Sequence, residues 1–290
     1  MRSRAGVHRF AVLTAIATLL LLFAGGLVTS TNSGLAVPDW PLSYGTLFPP
    51  MVGGIIYEHT HRLIAGTVGL LILALTMWLW RVETRRWVKR LGLVALGAVI
   101  TQAVLGGLTV LLVLPPPVSI AHACLGQLVF CAVVMVALVT SKFWERRQIE
   151  ISDASLRQLY LMTTILIAGQ LLLGAIIRHT GHVLLLHMAG AIVVWIMATR
   201  IVWRLFRKPR RDPSLFRLAI SMFGAVTLQI LLGLTVVRTH QQPLVATLHV
   251  VLGAAILAAA VVLTSLVFRV SDPGSRLRSG VAVKVKGVPA

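Results

Sequence analysis

Four histidines in this chain stand at repeating intervals. His61 and His122 are 61 residues apart, and His187 and His249 are 62 apart. The first pair maps onto the second at offsets of 126 and 127. Each of the four lies just inside the same end of a long apolar run. An ionisable side chain in lipid is costly, so residues of this kind mark a function. A histidine that only hydrogen-bonds a neighbouring helix accounts for one such residue, but poorly for four in register. Zinc would call for ligands closer in sequence, with carboxylate or thiolate partners. Haem iron takes two axial nitrogens, and alternate helices of a four-helix bundle can aim two imidazoles at one centre. The pattern points to two bis-histidine haem sites, with all four rings acting as iron ligands.

Other polar residues gather around the first pair. Glu58 precedes His61 by three residues and Arg62 by four, which puts all three on one helical face. The plainer alternative is an ordinary Glu–Arg pair at a helix start. In the second half Leu184 stands three before His187. Ligation alone therefore does not require the acid, and Glu58 becomes the candidate catalytic group. Arg178 and Arg238 end two later spans, where the first half carries the uncharged Thr29 and Leu112. Guanidinium groups at that rim suit the propionates of a retained haem. Snorkelling to the interface is the competing explanation. His59, His179, His182 and His240 are expected at the interface, and His8 at the opposite end is incidental.

These residues must be positioned by membrane-spanning helices. Apolar residues make up 57% of the 290-residue chain and charged ones 12%, far from a soluble balance. Eight apolar windows, each about 20 residues and long enough for a hydrocarbon core of about 30 Å, fall near 9–30, 59–80, 91–113, 118–140, 157–178, 183–203, 216–237 and 244–267. The first window is too long for a signal-peptide core and reads as a span. No Arg- and Ser-rich transit segment precedes it, which favours a bacterial cytoplasmic membrane over an organelle. Little sequence is left for a soluble domain. Cys124 and Cys131, about 10.5 Å apart on one helix, are too distant to bridge and read as small fillers.

The net charge of +19 follows topology. Of the 27 Lys and Arg residues, 24 lie in 2–9, 81–90, 142–157, 200–217 and 269–286. Those are the two ends and every second loop. The positive-inside rule puts both termini in the cytoplasm and the histidines toward the outer side. The basic excess then meets anionic lipid rather than nucleic acid.

The duplication extends past the histidines. Gly107-Leu108-Thr109-Val110 repeats as Gly233-Leu234-Thr235-Val236, Gly25 pairs with Gly174, and Gly126 and Gly253 each follow a histidine by four. The expected fold is all-α: two tandem four-helix bundles, 1–148 and 149–290, related by a pseudo-two-fold axis along the membrane normal. Small residues at Gly66, Gly107, Gly126 and Gly253 are expected to open flat slots for porphyrin. One outer segment, Ser33 to Tyr57, breaks the symmetry. It is longer by about 23 residues, the difference between offsets 149 and 126. It reads as a structured cap, with Trp40 and Tyr44 anchored at the interface. One site then does chemistry while the other supports it.

With these residues assembled, the chain resembles the haem A synthase family over nearly its whole length. The family's Glu-x-x-His-Arg motif stands at Glu58 to Arg62, and its loop pattern at Ser33-Gly34-Leu35 and Pro38-Asp39-Trp40-Pro41. The resemblance implies oxidation of a ring methyl of haem O to a formyl group, giving haem A, with oxygen from water. It implies substrate haem at His61, His122 and Arg62, a haem b cofactor at His187 and His249, and Glu58 as the catalytic acid. It also implies an enzyme that delivers haem O and an unidentified electron acceptor; a homo-oligomer is left open. Some members carry two cysteines in the outer loop. Here Val37 and Ser43 stand at those places, so packing or the prolines must hold the loop. A di-haem, cytochrome b-like electron carrier is the alternative. A transporter would need broken spans with polar midplane groups.

Overall fold

The computed structural model describes residues 2–146, 153–207 and 212–269, and its elements there are all helical. The expected boundary at 148/149 and the basic tail beyond 269 lie outside the described residues. Eight helices are long and apolar enough to cross a membrane. They are α1 (Arg2–Ser30), α2 (Gly54–Val82), α3 (Arg86–Leu111), α4 (Pro116–Val139), α6 (Ala154–Thr180), α7 (Leu184–Phe206), α8 (Pro213–Arg238) and α9 (Pro243–Phe268); α5 (Lys142–Arg146) is a short connector. Even the 23 residues of α7 span about 34 Å at 1.5 Å per residue. The chain is a multi-pass membrane protein with unbroken spans.

Local chemistry sets the ends of these helices. Proline opens α4, α8 and α9, where its fixed φ suits a first turn that has no use for its missing N–H. Asp153 accepts from the Leu156 amide, Asp212 from Ser214 and Leu215, and Gln242 from Val245. Each satisfies donors that no helical carbonyl can reach. Gly181 stops α6 at φ 75°, the left-handed conformation that glycine adopts without strain.

Within each half the helices pack as a closed ring of four. In the first, α1 meets α2, α2 meets α3, α3 meets α4, and α4 returns to α1; α6 to α9 repeat this. The halves meet through α4 with α9, α1 with α9, and α4 with α6. Exchanging the halves leaves this set of pairs unchanged. Half of each apolar window of α4 and α9 is buried, against 11% for α8, so α4 and α9 form the centre and the others face lipid. One apolar core runs through all eight spans, from Ala15 and Ile72 to Ile201 and Leu263. Polar contacts also cross the seam, with Ser30 bonded to Thr247 at 3.0 Å. Both cysteines are free. His8 is not idle, since its Nδ1 contacts the Ala137 carbonyl at 2.9 Å and ties α1 to α4.

Candidate functional site

All four histidines lie within the first eight residues of their helices, α2, α4, α7 and α9. Each ring is backed by a glycine on the preceding span. A β-carbon at Gly25 would sit 3.0 Å from His61 Nε2, one at Gly106 3.1 Å from His122 Cε1, and one at Gly233 3.0 Å from His249 Cε1. Gly174 leaves a looser 3.6 Å to His187. The fourfold glycine–imidazole stack is the geometric core of the duplication.

It also corrects the register. The repeat Gly107 to Val110 suggests offset 126, whereas the glycines facing the rings, Gly106 and Gly233, are 127 apart. Gly107 does a different job. A β-carbon there would meet the Trp40 indole at 2.7 Å, so this glycine seats the outer loop. Its counterpart in the true register is Leu234, in the half without a long loop. The glycines expected to open porphyrin slots divide accordingly. Gly126 and Gly253 admit the side chains of Gln102 and Gln229, Gly107 admits Trp40, and only Gly66 faces open space.

His187 and His249 face each other with ring centroids 6.4 Å apart and planes at 71°. Two imidazole nitrogens bonded at about 2 Å to one metal ion between them would place their ring centres about 6 Å apart. Nδ1 of His122, His187 and His249 is buried without a hydrogen-bond partner. An orphaned polar atom of this kind costs about 1–3 kcal/mol, which a bound group would recover. Paired imidazoles, ring-backing glycines and unpartnered nitrogens fit haem as the occupant. Among the described residues no three His, Cys, Asp or Glu side chains gather as a metal cluster.

The outer loop is tied to α2 beside His61 by a polar clamp rather than by packing or prolines alone. Glu58 is buried, and both of its carboxylate oxygens accept hydrogen bonds. Oε1 accepts from Arg62 at 2.6 Å and Oε2 accepts from the Val37 amide at 2.9 Å. The Glu–Arg pair is therefore formed, and it also secures the loop. Arg62 donates further to the carbonyls of Asp39, Leu42 and Val37. His59 is buried, not interfacial as expected, because its Nδ1 lies 2.8 Å from Ser43 Oγ. Val37 and Ser43 are thus each fastened to α2. Asp39 accepts from the amides of Tyr44 and Gly45, which hold its carboxyl below the usual carboxylate range. Tyr44 stays exposed and donates to the Ala36 carbonyl.

The two rim arginines differ. Arg178 crosses to the other half and donates to the Gly26 carbonyl and to Ser30 on α1. Arg238 is exposed at the end of α8, with no side-chain hydrogen bond among the described residues. Three functional candidates escaped the sequence reading: Gln102, Gln170 and Gln229. Each stands four residues before a ring-backing glycine, a Gln-x-x-x-Gly spacing that could have revealed them.

Comparison with known proteins agrees with this architecture. A family model described as cytochrome oxidase assembly protein matches residues 53–186, from the start of α2 into α7. A heme A synthase from Lysinibacillus sphaericus is 28% identical over 272 residues, 83% of this chain and 88% of that protein. One from Bacillus licheniformis is 30% identical over 174 residues, 59% of this chain and 58% of the relative. One from Geobacillus kaustophilus is 26% identical over 274 residues, 83% and 84% of the two. Fold and site define an all-helical, multi-pass membrane protein with duplicated histidine pairs. Among such proteins, this chain is similar to heme A synthases, over more than four-fifths of its length in two of these comparisons.

Proposed function

We propose that this protein works in haem A biosynthesis as an oxidoreductase of the bacterial cytoplasmic membrane. It converts one ring methyl of haem O to a formyl group. The balance is methyl plus water to formyl, with four protons and four electrons leaving to a redox partner. The observation that carries this reading is the opposed His187–His249 pair, with its spacing and unpartnered nitrogens. In this reading it is the resident site: His187 and His249 would hold haem b, and Arg178 and Arg238 would meet its propionates. A bound haem b supplies a one-electron path out of the substrate site.

In the first half His61 and His122 hold the substrate haem under the loop. Arg62 fixes the loop carbonyls and excludes water from that side, which strengthens electrostatics beneath it. Glu58 is the catalytic candidate. Its ionised carboxylate, oriented by Arg62 and the Val37 amide, stabilises positive charge that develops as the methyl is oxidised. One donor on each oxygen holds the carboxylate in place, so charge stabilisation is the favoured role. The cytoplasmic termini, outward-facing sites and separate roles of 1–148 and 149–290 belong to the same proposal.

Glu58→Gln tests it. Gln keeps an acceptor for Val37 but removes the charge. The purified variant should retain both haems and yield haem O without haem A when the pigments are extracted and separated. Undiminished haem A would remove Glu58 from the chemistry. Haem b alone in the wild-type protein, with no haem O, haem A or hydroxylated intermediate, would instead favour the electron-carrier reading.

A further inference from the structure

The three glutamines repeat with the histidines. Gln102 on α3, Gln170 on α6 and Gln229 on α8 each lie one turn before the glycine that backs a ring. Gln102 Nε2 donates to the His122 carbonyl at 2.9 Å and stands 3.4 Å from its Nε2. Gln229 does the same to His249, at 2.8 and 3.4 Å. Gln170 packs against Gly190, one turn after His187; a β-carbon there would fall 1.9 Å from the amide nitrogen. Gly126 and Gly253 make the same room for Gln102 and Gln229, at 3.0 and 3.1 Å. Glycine is thus needed on both helices, one to back the ring and one to admit the carboxamide.

A glutamine that served only to tie two helices would have both ends satisfied. Here Oε1 of all three is buried and unpartnered, as is Nδ1 of all three histidines. Unpaired acceptors and unpaired ring nitrogens, repeated at three places, describe a set that awaits a fixed ring. An imidazole that gives one nitrogen to iron carries its proton on the other, and that N–H takes a nearby acceptor which orients the ring. The fourth position breaks the rule. Four residues before Gly25 stands Leu21, so His61 has no carboxamide, and no side-chain hydrogen bond to it is found among the described residues.

We infer that Gln102, Gln170 and Gln229 are positioning residues that fix the rings of His122, His187 and His249, and that Leu21 leaves His61 as the exchangeable ligand of the substrate haem. The inference rests on the haem-ligand reading above. It gives the two sites different grips: two held rings for the resident haem, and one held and one free for a haem that must enter and leave.

The test uses the full chain purified from haem-replete cells, with Gln229→Met, which keeps volume but removes the hydrogen bonds, and with the pair Leu21→Gln and Ile64→Gly, which supplies a carboxamide and, at the place matching Gly190, the room to admit it. For Gln229→Met we expect altered low-spin EPR g-values, a changed midpoint potential and about 10–100-fold weaker retention of haem b. For Leu21→Gln with Ile64→Gly we expect loss of the first-half haem to an external haem acceptor about tenfold slower than in Ile64→Gly alone. Wild-type spectra, potential and retention in Gln229→Met overturn the inference. So does haem loss in the Leu21→Gln, Ile64→Gly pair unchanged from Ile64→Gly alone, which stands as an independent test should the first variant not fold. His249→Ala separates the levels: haem b retained there refutes the ligand assignment itself, whatever the glutamine does.

Discussion

The two halves share one scaffold and differ in what covers their histidines. In the second half α6 turns into α7 through residues 181–183, and the position matching Glu58 is Leu184, an exposed side chain. In the first half residues 31–53 intervene, and Glu58, His59 and Arg62 are all spent on holding them. Duplication supplied two equivalent imidazole pairs. The loop then placed a buried charge pair beside one of them. A buried ion pair is rarely favoured for stability alone. Its presence in only one half indicates that the loop, rather than the bundle, required it.

The largest expected difference between the halves is in what they retain. His187→Ala or His249→Ala should strip haem b from the purified protein. His61→Ala should leave haem b in place and affect only the substrate haem. Pyridine haemochrome analysis reads both. Equal haem b loss from either half would mean that the two sites do not have separate occupants.

Next in size is the clamp. Arg62→Ala leaves Glu58 as a buried, uncompensated charge and frees three loop carbonyls. Such a break costs about 3–5 kcal/mol, and it should appear as a lower thermal midpoint in detergent with new proteolytic cleavage inside residues 33–53. Arg62→Lys should recover only part of the loss, because a single ammonium cannot reproduce a fork that reaches the carboxylate and several carbonyls. Substitution of Met188, which occupies the matching place in α7, should do neither. An intact loop in Arg62→Ala would reassign its anchoring to Trp40 on Gly107.

How much of this was legible in the sequence depended on its range. Spans were readable because apolar run length is a local property, and the described helices begin and end within a few residues of those runs. The histidine pairs were readable because a costly residue in a repeat stands out. The clamp was not, since Val37–Glu58 and Ser43–His59 join segments whose fold the sequence does not state. The Gly-Leu-Thr-Val repeat misled by one residue because Gly106 and Gly107 are adjacent. One backs His122 and the other seats Trp40, and identity alone cannot tell which is which. The glutamines were hidden for a related reason. A lone polar residue in a span has meaning only after its neighbour across the helix pair is known.

A smaller effect sharpens the glycine stack. Gly233→Ala places a methyl 3.0 Å from the His249 ring, closer than ordinary contact, so the ring or α9 must shift at about 1–3 kcal/mol. Gly174→Ala meets His187 at 3.6 Å and should be tolerated. The haem b spectrum of the first variant should change while that of the second stays as wild type. If both are silent, the glycines serve helix approach rather than ring placement.

The smallest effect lies at the opposite end, where the halves again use different devices. The second half opens α8 with the Asp212 cap. The first half closes the α2–α3 turn with Glu83, which bonds Arg85 at 2.6 Å while Arg85 donates to the Val139 carbonyl at the end of α4. Arg85 holds the Glu83 carboxyl down at about 2, against 4.5 ordinarily. A carboxylate with a depressed folded value contributes stability above its unfolded value and loses it as pH falls toward the folded one. The contribution is therefore complete above about pH 4.5 and fades toward pH 2. With Arg85 a quarter exposed, solvent screening leaves it at about 1 kcal/mol. Glu83→Gln should lower the thermal midpoint at pH 7, with the gap narrowing below pH 4.5 and closing only near pH 2. A constant gap across that range would assign the turn's stability to shape and not to charge.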